Sequence, residues 1–177
     1  DPNFGNYRIR ISDKGDDKIV LLDFGAVQKY SDNFINPVCQ MITSSFDEDV
    51  QGVIDGGIAL RFMKADWPQS VLIEFAKVCI AVLEPLAKNK TLAGPESFND
   101  DGEYCWKKSN LPTRIARRAA KSAISRYFKV PPKEFVFLNR KLVGVYTFIS
   151  VLDGQFNGEL IIEPYIDKFR KKLQATE

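Results

Sequence analysis

The residues best suited to chemistry lie in two short clusters near the start of the chain: Asp1-Pro2-Asn3-Phe4-Gly5-Asn6 and Asp23-Phe24-Gly25. Together they offer two carboxylates and one amide oxygen. Mg²⁺ takes hard oxygen ligands, usually one or two carboxylates, and completes its shell with waters and substrate phosphates. Asn6 and Asp23 are the candidate metal ligands. Asp1 is then free to orient an attacking hydroxyl or water, or to accept its proton. Histidine is absent from the sequence, which excludes Ser-His-Asp and Cys-His catalysis and any His-based zinc site.

The elements between the clusters decide whether these oxygens can meet. Tyr7, Ile9 and Ile11 alternate with Arg8, Arg10 and Ser12, the period of a strand with one buried face. Asp13 to Asp17 is a turn cluster in which Gly15 is available for positive φ. Ile19, Val20, Leu21 and Leu22 then form an apolar run, the pattern of a strand buried on both faces. A hairpin so built brings its ends together and sets Asn6 beside Asp23, with Asp1 near. An Asp-Phe-Gly tripeptide alone is a weak signal; joined to an upstream D-x-x-x-x-N within hairpin reach, it is the phosphoryl-transfer arrangement of protein kinases.

Beyond residue 32 the apolar period becomes helical. Helices are predicted over 34–46 and 48–62, where the Gly56-Gly57 pair either permits close packing or ends the second helix. Asp66 is placed to cap a third, with Pro68 in its first turn and Val71, Ile73, Phe75, Val78, Ile80 and Leu83 mostly buried, until Pro85 stops it. Residues 88–108 lack periodicity and read as a loop or insertion; Trp67 and Trp106 sit near loop regions and say little. A basic helix over 112–129, an apolar one over 131–152 and an amphipathic one over 159–173 complete the chain. The fold class is mainly α: a short β-hairpin packed on about six helices.

Composition bounds the rest. With 45% hydrophobic and 27% charged residues and a net charge of +2, the chain reads as one soluble globular domain, and nucleic acid is not an expected partner. Cys39, Cys79 and Cys105 are odd in number and widely spaced, so they read as free thiols of a reducing compartment. No apolar leader opens the chain, and charges interrupt both long apolar stretches, which therefore read as core helices rather than membrane spans. Arg114, Arg117, Arg118 and Lys121 share one helix face; the readings are a solvated face, or a surface for anionic lipid or a partner protein. The cations of 168–172 suit the C-terminus of their own helix. Phe135, Phe137, Tyr146 and Phe148 read as core, with a quinone or isoprenoid groove as the alternative.

The motif pair resembles the AarF/UbiB family of atypical, kinase-like proteins. That family's catalytic loop reads D-P-H-P-G-N and is followed by a hairpin and L-L/I-D-F-G; here Asp1, Pro2, Gly5 and Asn6 match the first, and Leu21 through Gly25 the second. Asn3 and Phe4 depart from the His and Pro usual there. Pro131 through Glu134, Leu138, Arg140 to Leu142 and Gly144 resemble the family's penultimate helix, and Glu84-Pro85 a Glu-Pro of its C-terminal lobe. The resemblance implies a protein-kinase-like C-terminal lobe spanning 1–177 as a single partial domain, whose N-terminal lobe would lie elsewhere in a longer protein. It implies ATP and Mg²⁺ as cofactors, held through Asn6, Asp23, Phe24 and Gly25, with Phe24 packed against the lobe to fix Asp23. The implied activity is an ATPase or small-molecule phosphotransferase linked to ubiquinone or isoprenoid-lipid metabolism, in which this lobe alone is inactive. A pseudokinase-type scaffold is the rival reading; an ordinary protein kinase is disfavoured by the lack of an Ala-Pro-Glu segment. The expected location is cytoplasmic, with or without peripheral attachment to the inner face of a membrane.

Overall fold

An alternating strand pattern before a polar, glycine-bearing turn and an apolar run after it give the first two strands. In the computed structural model, which describes residues 4–24, 27–89, 92–123, 127 and 133–174, β1 (Tyr7–Arg10) and β2 (Lys18–Leu21) pair antiparallel, Tyr7 opposite Leu21 and Arg10 opposite Lys18. Gly15 turns the chain at φ +72°. The Ser12 amide donates to Asp17 Oδ1 at 2.9 Å and closes the tip. The turn therefore falls where its residue types place it. The strands' burial does not: Ile9, Ile11, Ile19, Leu21 and Leu22 are all at least half exposed. Neither the one-faced burial expected of β1 nor the two-faced burial expected of β2 holds. A period-2 pattern specifies a strand, whereas burial needs a neighbouring element; among the described residues, the hairpin meets the helices through Tyr7, whose ring lies 4.7 Å from that of Phe148.

Six α-helices follow among the described residues. Helices α1 (Asp32–Phe46), α2 (Val50–Ala59) and α3 (Gln69–Val82) enclose the main core, in which Phe34, Val38, Met41, Val53, Ile54, Leu72, Ala76 and Ile80 are buried. The glycine pair permits close packing: a Cβ on Gly56 would come within 3.0 Å of the Pro37 carbonyl oxygen of α1. Helix α3 starts after Pro68, which takes the capping position expected of Asp66. Its buried line is Leu72, Ala76, Ile80 and Leu83, while Val71, Ile73, Phe75 and Val78 flank it half-buried. Pro85 ends it in a single tight turn, Glu84–Leu86. The Cys79 thiol at the core margin is pushed up to about 12 by burial, and burial also raises that of Cys39.

Helices α4 (Leu111–Ala123), α5 (Lys133–Val151) and α6 (Gly158–Gln174) complete the chain. Residues 124–126 and 128–132 lie outside the described set, and with them the expected continuation of the basic helix to 129 and the Pro131-Pro132 start. Region 88–108 is integrated into the fold. Strand β3 (Tyr104–Cys105) pairs with β4 (Gln155–Phe156), and a second core gathers on Tyr104 and Trp106 with Tyr146, Ile149 and Phe156 around them. Trp106 is thus a core residue. Helix α5 contains no fully buried residue, contrary to the core helix expected from its composition. It lies on the outside with Phe135, Leu138, Leu142, Tyr146 and Ile149 turned inward and half-buried, and Val136, Phe137, Val143 and Val151 exposed. Among the described residues, no helix is long and apolar enough to cross a membrane.

The start of α6 is pressed against the tight turn at Pro85. A Cβ on Gly158 would overlap the Pro85 carbonyl oxygen, so backbone must shift to admit one. Gly158→Ala is expected to cost about 1–3 kcal/mol in urea denaturation, against less than about 0.5 kcal/mol for the exposed control Ser70→Ala. A Gly158→Ala chain as stable as wild type would show that this contact is not close-packed.

Candidate functional site

The hairpin positions the first candidate site through its open end. One tight turn, Phe4–Asn6, leads into β1. At the exit of β2 the Leu22 amide donates to the Asn6 carbonyl at 2.9 Å. That bond extends the ladder by one pair, placing Asn6 opposite Leu22 and next to Asp23 across the fold-back. Asn6 is half-buried and Asp23 exposed, and both make interactions with neighbouring groups. The donor set fits Mg²⁺, which needs few protein oxygens when phosphates and waters supply the rest. Among the described residues no three Asp, Glu or Cys side chains form a metal-holding group, so any cation at Asn6 and Asp23 would depend on ligands from a nucleotide or from outside that set. Asp1 and Gly25 lie outside the described residues. Phe24 is 68% exposed; it does not pack against the helices as the sequence reading expected, because the chain after β2 runs along the surface, where Val27 is exposed as well.

A second polar constellation was not read from the sequence. Glu84 is 4% exposed, and its carboxylate is enclosed by donors. Arg114 Nη1 donates to Oε2 at 2.8 Å, Arg114 Nη2 donates to Oε1, and Tyr104 Oη donates to Oε1 at 2.6 Å. Arg114 Nε in turn donates to the Ser109 carbonyl at 3.0 Å. The hydrogen bond to Glu84 raises the Arg114 guanidinium above its usual range. Burial, then the bond to Glu84, raises the Tyr104 phenol. A bidentate guanidinium–carboxylate pair is the strong form of this contact. Arg114 thus grips a buried carboxylate while its own side chain stays 41% exposed; Arg117 and Arg118 are exposed as well, and the Lys121 side chain lies outside the described set. The cluster ties the end of α3 to β3 and α4. The Glu-Pro dipeptide marked Glu84, but no local spacing signals a partner 30 residues away.

Removing one partner of a buried pair costs more than the pair is worth, because the other charge stays behind. Arg114→Met strands a buried carboxylate and should cost about 3 kcal/mol. Glu84→Gln leaves a guanidinium with water access, its side chain 41% exposed, and should cost about half as much. Urea denaturation of both variants tests the ordering; equal losses would contradict it.

Residues 1–56 match the ABC1 atypical kinase-like domain. Over 98% of its length the chain is 26% identical to the probable serine/threonine-protein kinase abkA of Dictyostelium discoideum, and over 86% it is 27% identical to the mitochondrial atypical kinase coq-8 of Caenorhabditis elegans. It spans 29% and 18% of the length of these two relatives. The domain match covers both halves of the motif pair and the hairpin joining them, and the similarity to the relatives continues through the helices; the chain is similar to ABC1 (AarF/UbiB) atypical kinase-like proteins over this range.

Proposed function

We propose that this chain supplies the C-terminal lobe of an ABC1-type kinase that uses Mg²⁺ and ATP, as an ATPase or small-molecule phosphotransferase. The observation that carries the reading is the Leu22-to-Asn6 hydrogen bond at 2.9 Å, which brings the amide-bearing end of one strand beside the carboxylate following the other. Asn6 and Asp23 would hold the metal on the nucleotide phosphates. Bound there, Mg²⁺ supplies charge neutralisation for the transferring phosphoryl group. Asp1, five residues before Asn6 in the sequence, would orient the nucleophile and take its proton. Gly25 would let the chain turn away after the ligand. By its resemblance to the AarF/UbiB motifs, the protein would act in ubiquinone or related isoprenoid-lipid metabolism.

The test uses a protein carrying this lobe together with an N-terminal lobe. Asp23→Asn is expected to lower Mg²⁺-dependent ADP release at least about a hundredfold while the thermal unfolding curve is unchanged. Hydrolysis at the wild-type rate would remove Asp23 from the mechanism. Nucleotide binding without turnover in the wild-type protein, with and without anionic lipid, would identify a scaffold of the pseudokinase type instead.

A further inference from the structure

By register and the period of two, Tyr7 and Ile9 of β1 share a hairpin face with Leu21 and Ile19 of β2. Ile9, Ile19 and Leu21 are at least half exposed, whereas Tyr7 is partly covered. Its ring centroid lies 4.7 Å from that of Phe148 in α5, the planes inclined by 31°, inside the range of a favourable aromatic pair. Phe148 stands on a fixed base. Two residues before it, Tyr146 meets Trp106 edge-on at 4.8 Å and donates its hydroxyl to the Val82 carbonyl at 3.0 Å. Two residues after it, the Ser150 hydroxyl donates to the Trp106 carbonyl at 3.4 Å. The contact falls at the open end of the hairpin rather than at its tip: Tyr7 directly follows Asn6, and its partner Leu21 lies two residues before Asp23.

We propose that Phe148 is a positioning residue for the cation site at Asn6 and Asp23, acting through Tyr7; the inference rests on the proposed phosphoryl-transfer function. A two-stranded ladder is marginal in water on its own. Its backbone bonds fix one strand against the other without fixing either against the helices. A site that holds a cation beside a nucleotide needs its oxygens held to within about 0.5 Å. The ring pair supplies the missing reference by tying the strand that follows Asn6 to the second core. The Leu22-to-Asn6 bond then carries the same restraint to the residue before Asp23. Without the Phe148 ring the hairpin would spend part of its time displaced from the helices, and both ligands would move together. A cation and nucleotide that bind only the docked arrangement would then lose apparent affinity in proportion to its population, while the saturated complex is unaltered.

The test uses a protein carrying both lobes and two readouts: exchange of the Leu22 backbone amide followed by NMR, and steady-state hydrolysis of Mg²⁺·ATP. Phe148→Ala is expected to speed Leu22 exchange about fivefold to tenfold. The Gly15 amide of the tip, which donates to the Ser12 carbonyl at 3.0 Å, should keep its wild-type rate. KM for Mg²⁺·ATP should rise by a similar factor, with kcat within about twofold of wild type. Tyr7→Phe, which keeps the ring pair, should retain wild-type exchange at Leu22. Where circular dichroism shows Phe148→Ala unfolded, the milder Phe148→Leu decides, with smaller shifts in the same direction. Unchanged Leu22 exchange in the folded variant would overturn the proposal. So would equal acceleration at Gly15, which marks loss of the hairpin rather than release of its open end, and so would faster exchange with KM unmoved. Failure of the wild-type protein to bind Mg²⁺·ATP would overturn the phosphoryl-transfer function and the positioning role with it. Exchange needs no nucleotide, so the two failures are told apart.

Discussion

The fold-back that sets Asn6 against Leu22 is the constraint on which the functional reading depends. The two halves of the motif pair are separated in sequence by two strands and a polar turn, and neither half alone could hold a cation beside a nucleotide. The pairing of Asn6 with Leu22 is fixed by the ladder's backbone bonds, ending in the 2.9 Å contact at the open end, and the Ser12-to-Asp17 side-chain bond closes the tip. Side-chain packing contributes little to it, since most apolar residues of both strands are at least half exposed. A ladder held mainly by its own hydrogen bonds and turn chemistry is marginal as an isolated hairpin, and Tyr7 against Phe148 is its visible tether to the helices.

Beneath the hairpin the helical body is held by two different means. The first core, between α1, α2 and α3, relies on close approach, with Gly56 letting α2 settle on the Pro37 backbone. The second gathers aromatic rings: Trp106 meets Tyr104 and Tyr146 edge-on, at centroid distances of 5.7 and 4.8 Å. The Glu84–Arg114–Tyr104 cluster connects them, because Glu84 opens the tight turn after α3 while its partners belong to β3 and α4. Tyr146 adds a bond from its hydroxyl to the Val82 carbonyl at 3.0 Å. Across the other side, Arg170 of α6 grips Asp47 through both carboxylate oxygens at 2.6 and 2.7 Å. That exposed pair fixes position more than it adds stability.

What could be read from the sequence was local. The hairpin, its turn, the helix order and the stop at Pro85 are consequences of period, turn residues and proline chemistry within a few positions. The motif pair was legible for the same reason, since its spacing is bridged by one hairpin. Long-range choices were not. Whether Ile9 or Val136 is covered depends on which element arrives beside it, and nothing in their own windows says so. Trp106 and Tyr104 lacked any periodic setting because their core is assembled from residues some 50 positions later, at Gln155 and Phe156. Arg114 fitted a cationic helix face by spacing; its grip on a buried carboxylate in the tight turn after α3 was not in that spacing.

The most direct test of the metal site proposed at Asn6 and Asp23 is paramagnetic. In a protein carrying both lobes and bound to ATP, Mn²⁺ substituted for Mg²⁺ should broaden the NMR signals of the Asn6 side-chain amide and of Asp23 together, and leave those of Asp100 and Asp101 in the exposed loop unaffected. Broadening confined to one of the pair, or to neither while nucleotide signals still broaden, would contradict the account that a single cation lies between them.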